Sequence, residues 1–74
     1  MLAGLKEVLI EAREAKRAIA AFNVPNLEMV RAAVQAAEEL GVPVILQHAE
    51  GHGSLIPLDE IGPIMIAYAK RSNV

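Results

Sequence analysis

The sequence predicts an α/β fold in which helices alternate with short buried strands. Two runs, at residues 18–23 and 43–47, are apolar up to a final amide residue and lack the polar–apolar alternation of a half-buried strand. Such runs are typical of parallel strands that are covered on both faces. Between them, residues 27–40 repeat apolar side chains at helical spacing. A strand, a helix and a second buried strand predict a parallel βαβ unit.

Composition narrows the class of protein. The chain has 74 residues, a formal net charge of −2, no cysteine and 54% apolar residues. This charge predicts no basic surface for nucleic acid, and the absence of cysteine excludes a disulfide framework or a thiolate metal site. The longest runs without a charged residue, 18–27 and 40–49, are ten residues each. A membrane span needs about 20, so we expect a cytoplasmic protein without a membrane partner.

The first two helices have clear sequence signals. Residues 5–16 carry apolar side chains at the i, i+3, i+4, i+7 spacing of one helical face. Asn26 is a favoured N-cap for the helix predicted over 27–40, and Gly41 supplies the left-handed residue that commonly ends a helix.

A third helix is predicted over residues 59–71. Asp59 is the expected N-cap, which places Pro63 in the first turn or just after it, where a missing N–H does little harm. The complete predicted order is therefore helix, strand, helix, strand, helix.

The small size of the chain conflicts with its high apolar content. A core of this size contributes roughly 3–5 kcal/mol, and two parallel strands alone do not make a stable sheet. We therefore expect the apolar surfaces to be covered by something outside these residues.

Two amide side chains stand where the predicted strands end. Regular βα alternation favours either a (β/α)8 barrel or an open doubly wound sheet, and both bind ligands at the C-terminal ends of the strands. Asn23 ends the first strand and Gln47 ends the second. Their amides can donate to and accept from hydroxyl and phosphate groups. The alternative for Asn23 is a structural role, in which it satisfies backbone groups at a turn.

The loop after the second strand contains two histidines. His48 and His52 have a spacing that suits metal binding on a helix, but Gly51 and Gly53 disfavour a helix there. The pattern favours one packed histidine and one loop histidine over a metal site. Residues 51–54 lack the Lys-Ser/Thr of a phosphate loop. Their glycines are also compatible with an anion nest of backbone amides, but this signal is weak.

The stretch from residue 21 to residue 51 resembles the N-terminal part of class II fructose-bisphosphate aldolases. The motif is AFNV at 21–24, then Asn-Leu-Glu at 26–28 opening a helix, then PVILQ at 43–47. These enzymes are zinc-dependent (β/α)8 TIM barrels, and tagatose-bisphosphate aldolases are close relatives. The resemblance implies that residues 1–74 are the N-terminal quarter of a single barrel domain of roughly 250 residues, in a homo-oligomeric parent.

The resemblance also implies a function for that parent. It would cleave fructose 1,6-bisphosphate or tagatose 1,6-bisphosphate reversibly to dihydroxyacetone phosphate and glyceraldehyde 3-phosphate, with Asn23 and Gln47 as substrate-binding residues. Many family members have a phosphate-binding serine where this chain has Ala49. Neither His48 nor His52 matches a zinc ligand of the family. The resemblance places the zinc ligands and the catalytic aspartate after residue 74, so we expect this chain alone to be inactive.

Two alternatives remain open at this point. The chain could be a truncated, non-catalytic βα module that functions by association, or part of an unrelated barrel that binds sugar phosphates.

Overall fold

The computed structural model describes residues 1–74, and its elements follow the predicted order. They are α1 (Leu5–Ala15), β1 (Ala21–Asn23), α2 (Leu27–Leu40), β2 (Ile45–Gln47), a 3₁₀ turn (Glu50–His52) and α3 (Leu58–Arg71). β1 and β2 pair as a two-stranded parallel sheet, which confirms the α/β class. No helix of the chain has both the length and the apolar character that a membrane crossing requires.

Both strands are shorter than the apolar runs that predicted them. The runs cover 18–23 and 43–47, whereas the ladder contains three residues of each strand. At the second strand the cause is the end of α2, because the backbone N–H of Val42 still donates to the carbonyl of Ala37 at 3.1 Å. The chain therefore reaches the sheet only a few residues later.

The predicted N-cap of the third helix is wrong by two residues. α3 begins at Leu58, with Pro57 as its N-cap in an extended conformation. Asp59 lies in the first turn together with Glu60, where the partial positive charge of the helix N-terminus favours carboxylates. Pro63 is consequently inside the helix rather than in its first turn or just after it, and its missing N–H leaves the Asp59 carbonyl without its usual i+4 donor.

The ends of the other helices follow local chemistry. The side chain of Asn26 accepts a hydrogen bond from Met29 N at 2.9 Å, and Gly41 ends α2 with a φ of 65°. Both caps were predicted. α1 ends at Ala15, one residue before the predicted end, because Lys16 adopts the left-handed conformation with a φ of 55°.

The core lies between the sheet, α2 and α3. Four buried side chains form one cluster: Val24, Val30, Val34 and Ile61. Several half-buried side chains pack against it, including Leu46, Ile56, Met65 and Tyr68. In all, six of the 74 residues are buried, so the chain has a small core for its apolar content.

Much of the apolar surface predicted to be covered is open in this chain. Phe22, in the middle of β1, is 42% exposed, so the prediction of a strand covered on both faces does not hold within these residues. On α1, Leu5 and Leu9 are exposed and Ala12 is buried. The helical periodicity of α1 is present, but most of its apolar face has nothing in the chain to pack against.

Ile61 provides a test of this small core. Its side chain is fully buried, and an Ile→Ala change at such a site costs about 2–5 kcal/mol. That loss is comparable to the whole stability expected of so short a chain, roughly 3–5 kcal/mol. Ile61→Ala should therefore abolish cooperative unfolding in a urea titration followed by circular dichroism.

Ile66→Ala is the matched control, since Ile66 lies in the same helix and is 48% exposed. Its effect on the free energy of unfolding should be much smaller. Equal losses in the two variants would contradict the assignment of the core.

Candidate functional site

Asn23 and Gln47 are direct partners in the parallel sheet. The register pairs Ala21 with Ile45, Phe22 with Leu46 and Asn23 with Gln47. The next backbone bond, from Val24 N to Gln47 O at 2.9 Å, fixes this end of the ladder. Since adjacent strands lie about 4.8 Å apart, the two amide-bearing residues stand side by side at the C-terminal edge, as the sequence predicted.

The two amides share the sheet face that no core helix covers. Leu46 packs against the core cluster, and Phe22, its register partner, borders a groove with α2. Successive strand residues point to opposite faces. Asn23 and Gln47 therefore point away from the core, and both are exposed.

Neither amide side chain makes a hydrogen bond within the chain. The side-chain cap after β1 is supplied by Asn26, whose Oδ1 accepts from Met29 N. The alternative structural role for Asn23, satisfaction of a turn through its side chain, is thus not what the structure contains. The amide groups of Asn23 and Gln47 remain available to a polar ligand.

The loop after β2 is folded back on itself. His48 Nε2 lies 2.9 Å from the carbonyl oxygen of Ile56, and Ile56 N donates to the carbonyl of His52 at 3.0 Å. The rings of His48 and His52 are 5.9 Å apart between centroids, with a 54° tilt. Both rings are half-buried, so His52 lies on the loop as predicted but is packed rather than free.

These two histidines do not make a metal centre. No group of three or more His, Asp or Glu side chains in the chain converges to hold a metal ion. The Nδ1 atoms of both rings are buried without a hydrogen-bond partner, and the Nε2 atom of His48 is already bonded to the carbonyl oxygen of Ile56. The residues present do not fit the zinc that the resemblance implies.

The chemistry available at this edge is binding rather than activation. Two exposed amides can donate and accept hydrogen bonds, but they do not transfer protons near neutral pH. Ala49 offers no hydroxyl group, and its backbone carbonyl already accepts from His52 N at 3.0 Å. The sequence predicted the position of the two amides at the strand ends, but no pattern in it indicated the bond between His48 and Ile56.

The chain is an α/β protein whose parallel βα unit carries polar side chains at its carboxyl edge, the edge at which such folds bind small ligands. The sequence model described as fructose-bisphosphate aldolase class-II matches residues 3–74. The chain therefore belongs to the class II fructose-bisphosphate aldolase family, which confirms the resemblance.

Curated relatives agree with this assignment. A fructose-bisphosphate aldolase of Geobacillus stearothermophilus is 48% identical over 50 residues, which are 68% of this chain and 17% of the relative. Fructose-bisphosphate aldolases of Staphylococcus aureus (strain N315) and Staphylococcus epidermidis (strain ATCC 12228) are 42% identical over 50 residues, 68% of this chain and 18% of each relative. The matched segment thus covers less than a fifth of the length of these relatives. No solved structure matches it significantly.

Proposed function

We propose that these 74 residues are the N-terminal quarter of a (β/α)8 barrel, a zinc-dependent class II ketose-bisphosphate aldolase. The parent cleaves fructose 1,6-bisphosphate or tagatose 1,6-bisphosphate reversibly to dihydroxyacetone phosphate and glyceraldehyde 3-phosphate. The observation that carries the proposal is the pairing of Asn23 with Gln47 at the carboxyl edge, in a chain whose family match covers residues 3–74.

In this proposal the two strand ends bind and orient the substrate. Asn23 and Gln47 contact hydroxyl or phosphate oxygens of the sugar phosphate through amides that the sheet holds side by side. Strand positions are rigid compared with loops, so the amides lose little conformational freedom on binding. The uncovered face on which they stand becomes the interior of the barrel when the remaining strands are present.

The chemical step belongs to residues outside this chain. The amides of Asn23 and Gln47 do not act as acid or base, and no three donors here converge on a metal ion. We therefore propose that the zinc ligands and the catalytic acid lie in the remainder of the parent, and that the 74 residues alone are inactive.

The remaining features of the parent follow the same assignment. We propose a cytoplasmic homo-oligomer whose partner is a small sugar phosphate, with neither nucleic acid nor a membrane as ligand. The net charge of −2 and the exposed apolar residues of α1, such as Leu5 and Leu9, support this description.

Removal of either amide should weaken catalysis by the full-length parent. Asn23→Ala and Gln47→Ala are each expected to lower kcat/KM about tenfold or more, because a hydrogen bond to a charged group contributes roughly 1.5–3 kcal/mol. The measurement is steady-state cleavage of fructose 1,6-bisphosphate in a coupled assay. Gln35→Ala is the matched control, since Gln35 lies on the exposed surface of α2 and bonds only Glu39, at 3.1 Å. Unchanged kcat/KM in both site variants would remove their assigned role.

The full-length parent and the isolated 74 residues should respond differently to metal. A chelator is expected to abolish cleavage by the full-length protein, and added Zn²⁺ should restore it. The isolated 74 residues should show no change in helix content or melting temperature when Zn²⁺ is added, because no metal-binding cluster is present. A chelator-resistant parent would contradict the assignment to the zinc-dependent class.

A second candidate function is a non-catalytic βα module that acts by association. The observation that favours it is the exposure of large apolar side chains on several elements, including Leu9 of α1, Phe22 of β1 and Leu40 of α2. Exposed apolar patches and open sheet edges promote association. This candidate predicts oligomers in sedimentation velocity of the isolated 74 residues, whereas a monodisperse monomer that unfolds cooperatively would count against it.

A further inference from the structure

The imidazole of His48 joins the two ends of the loop that follows β2. Its Nε2 lies 2.9 Å from the carbonyl oxygen of Ile56, eight residues along the chain. A carbonyl oxygen only accepts hydrogen bonds, so Nε2 carries the proton and donates it. The other ring nitrogen, Nδ1, is then an acceptor, and it is buried without a partner.

This arrangement indicates that the role of His48 is the hydrogen bond of its Nε2 rather than the packing of its ring. A buried nitrogen without a partner is unfavourable, and a leucine of similar size would fill the same space without that cost. The histidine is therefore explained by the bond that its Nε2 makes. That bond is also the side-chain hydrogen bond that spans the loop, since the other loop bonds are between backbone groups.

The hydrogen bond from His48 to Ile56 acts as a tether, and its far end, Ile56, is anchored in the core. Ile56 packs against the cluster formed by Val24, Val30, Val34 and Ile61. The near end adjoins Gln47, the last residue of β2. The His48–Ile56 bond therefore connects the end of β2 to the core through only two residues, His48 and Ile56.

We propose that His48 is a positioning residue that fixes Gln47 for substrate contact by tethering the β2–α3 loop to the core at Ile56. The inference rests on the proposed function, in which Gln47 binds the sugar phosphate. His48 touches no substrate in this scheme, because successive residues of an extended segment point to opposite faces. Gln47 faces the ligand and His48 faces the core.

The kinetic test compares two variants of the full-length parent. His48→Leu removes the donor at similar volume, and His48→Gln retains an N–H donor that reaches the same carbonyl. We expect His48→Leu to raise KM for fructose 1,6-bisphosphate roughly three- to tenfold with kcat within about twofold. His48→Gln should restore KM to near the wild-type value.

A merely structural role gives a different kinetic result. Partial unfolding of His48→Leu lowers the concentration of active enzyme, so apparent kcat falls while KM stays the same, and that result would overturn the proposal. In a Gln47→Ala background, His48→Leu should produce no further rise in KM, because the residue it positions is gone. Fully additive effects would also overturn it.

The tautomer of His48 tests the tether without an activity assay. Two-dimensional ¹⁵N–¹H NMR of the side chain in the full-length parent should report the Nε2–H form. An Nδ1–H form in an active parent overturns the tether alone. A parent without aldolase activity overturns the proposed function, and with it the substrate role of the tether, while the tautomer still decides whether the bond exists.

Discussion

The parallel pairing of β1 with β2 determines where α2 and the two strand ends lie. Parallel strands need a crossover, and α2 provides it, so its apolar face must pack on the sheet it connects. Val30 and Val34 are buried as a result. The same pairing aligns the two carboxyl ends, which brings Asn23 opposite Gln47. The packing of the core and the geometry of the candidate site therefore have one common origin.

The two-stranded sheet leaves backbone edges and one face without partners in these 74 residues. Each strand has one neighbour, and the face that carries the two amides has no core helix against it. In the proposed barrel, that face becomes the interior and the free edges receive further strands, so features that destabilise the 74 residues become useful in the parent. In the same proposal, Phe22, which is exposed in these 74 residues, is covered by further elements of the barrel.

How much was predictable depends on the range of the interaction that decides each feature. Asn26 and Gly41 act on their immediate neighbours, so the caps of α2 could be predicted from sequence. The start of α3 could not, because Asp59 is the favoured N-cap by residue type, whereas the first helical bond runs from Ile61 N to the carbonyl oxygen of Pro57, which has no capping side chain. The edge shared by Asn23 and Gln47 follows from a general rule for parallel strands. The bond of His48 to Ile56 depends on the path of a whole loop and leaves no local pattern.

The two-residue period of the strand places the site residue Gln47 next to His48, whose side chain bonds the loop anchored on the core. Gln47 and His48 are consecutive, so they must point to opposite faces. One faces the open side of the sheet, and the other reaches the loop that is anchored on the core. A slip of one residue in the register would exchange these faces, and Asn23 would lose its partner amide at the same time. The backbone bond from Val24 N to Gln47 O belongs to this register, so the proposed ligand contact and the loop anchoring would depend on the same few backbone contacts.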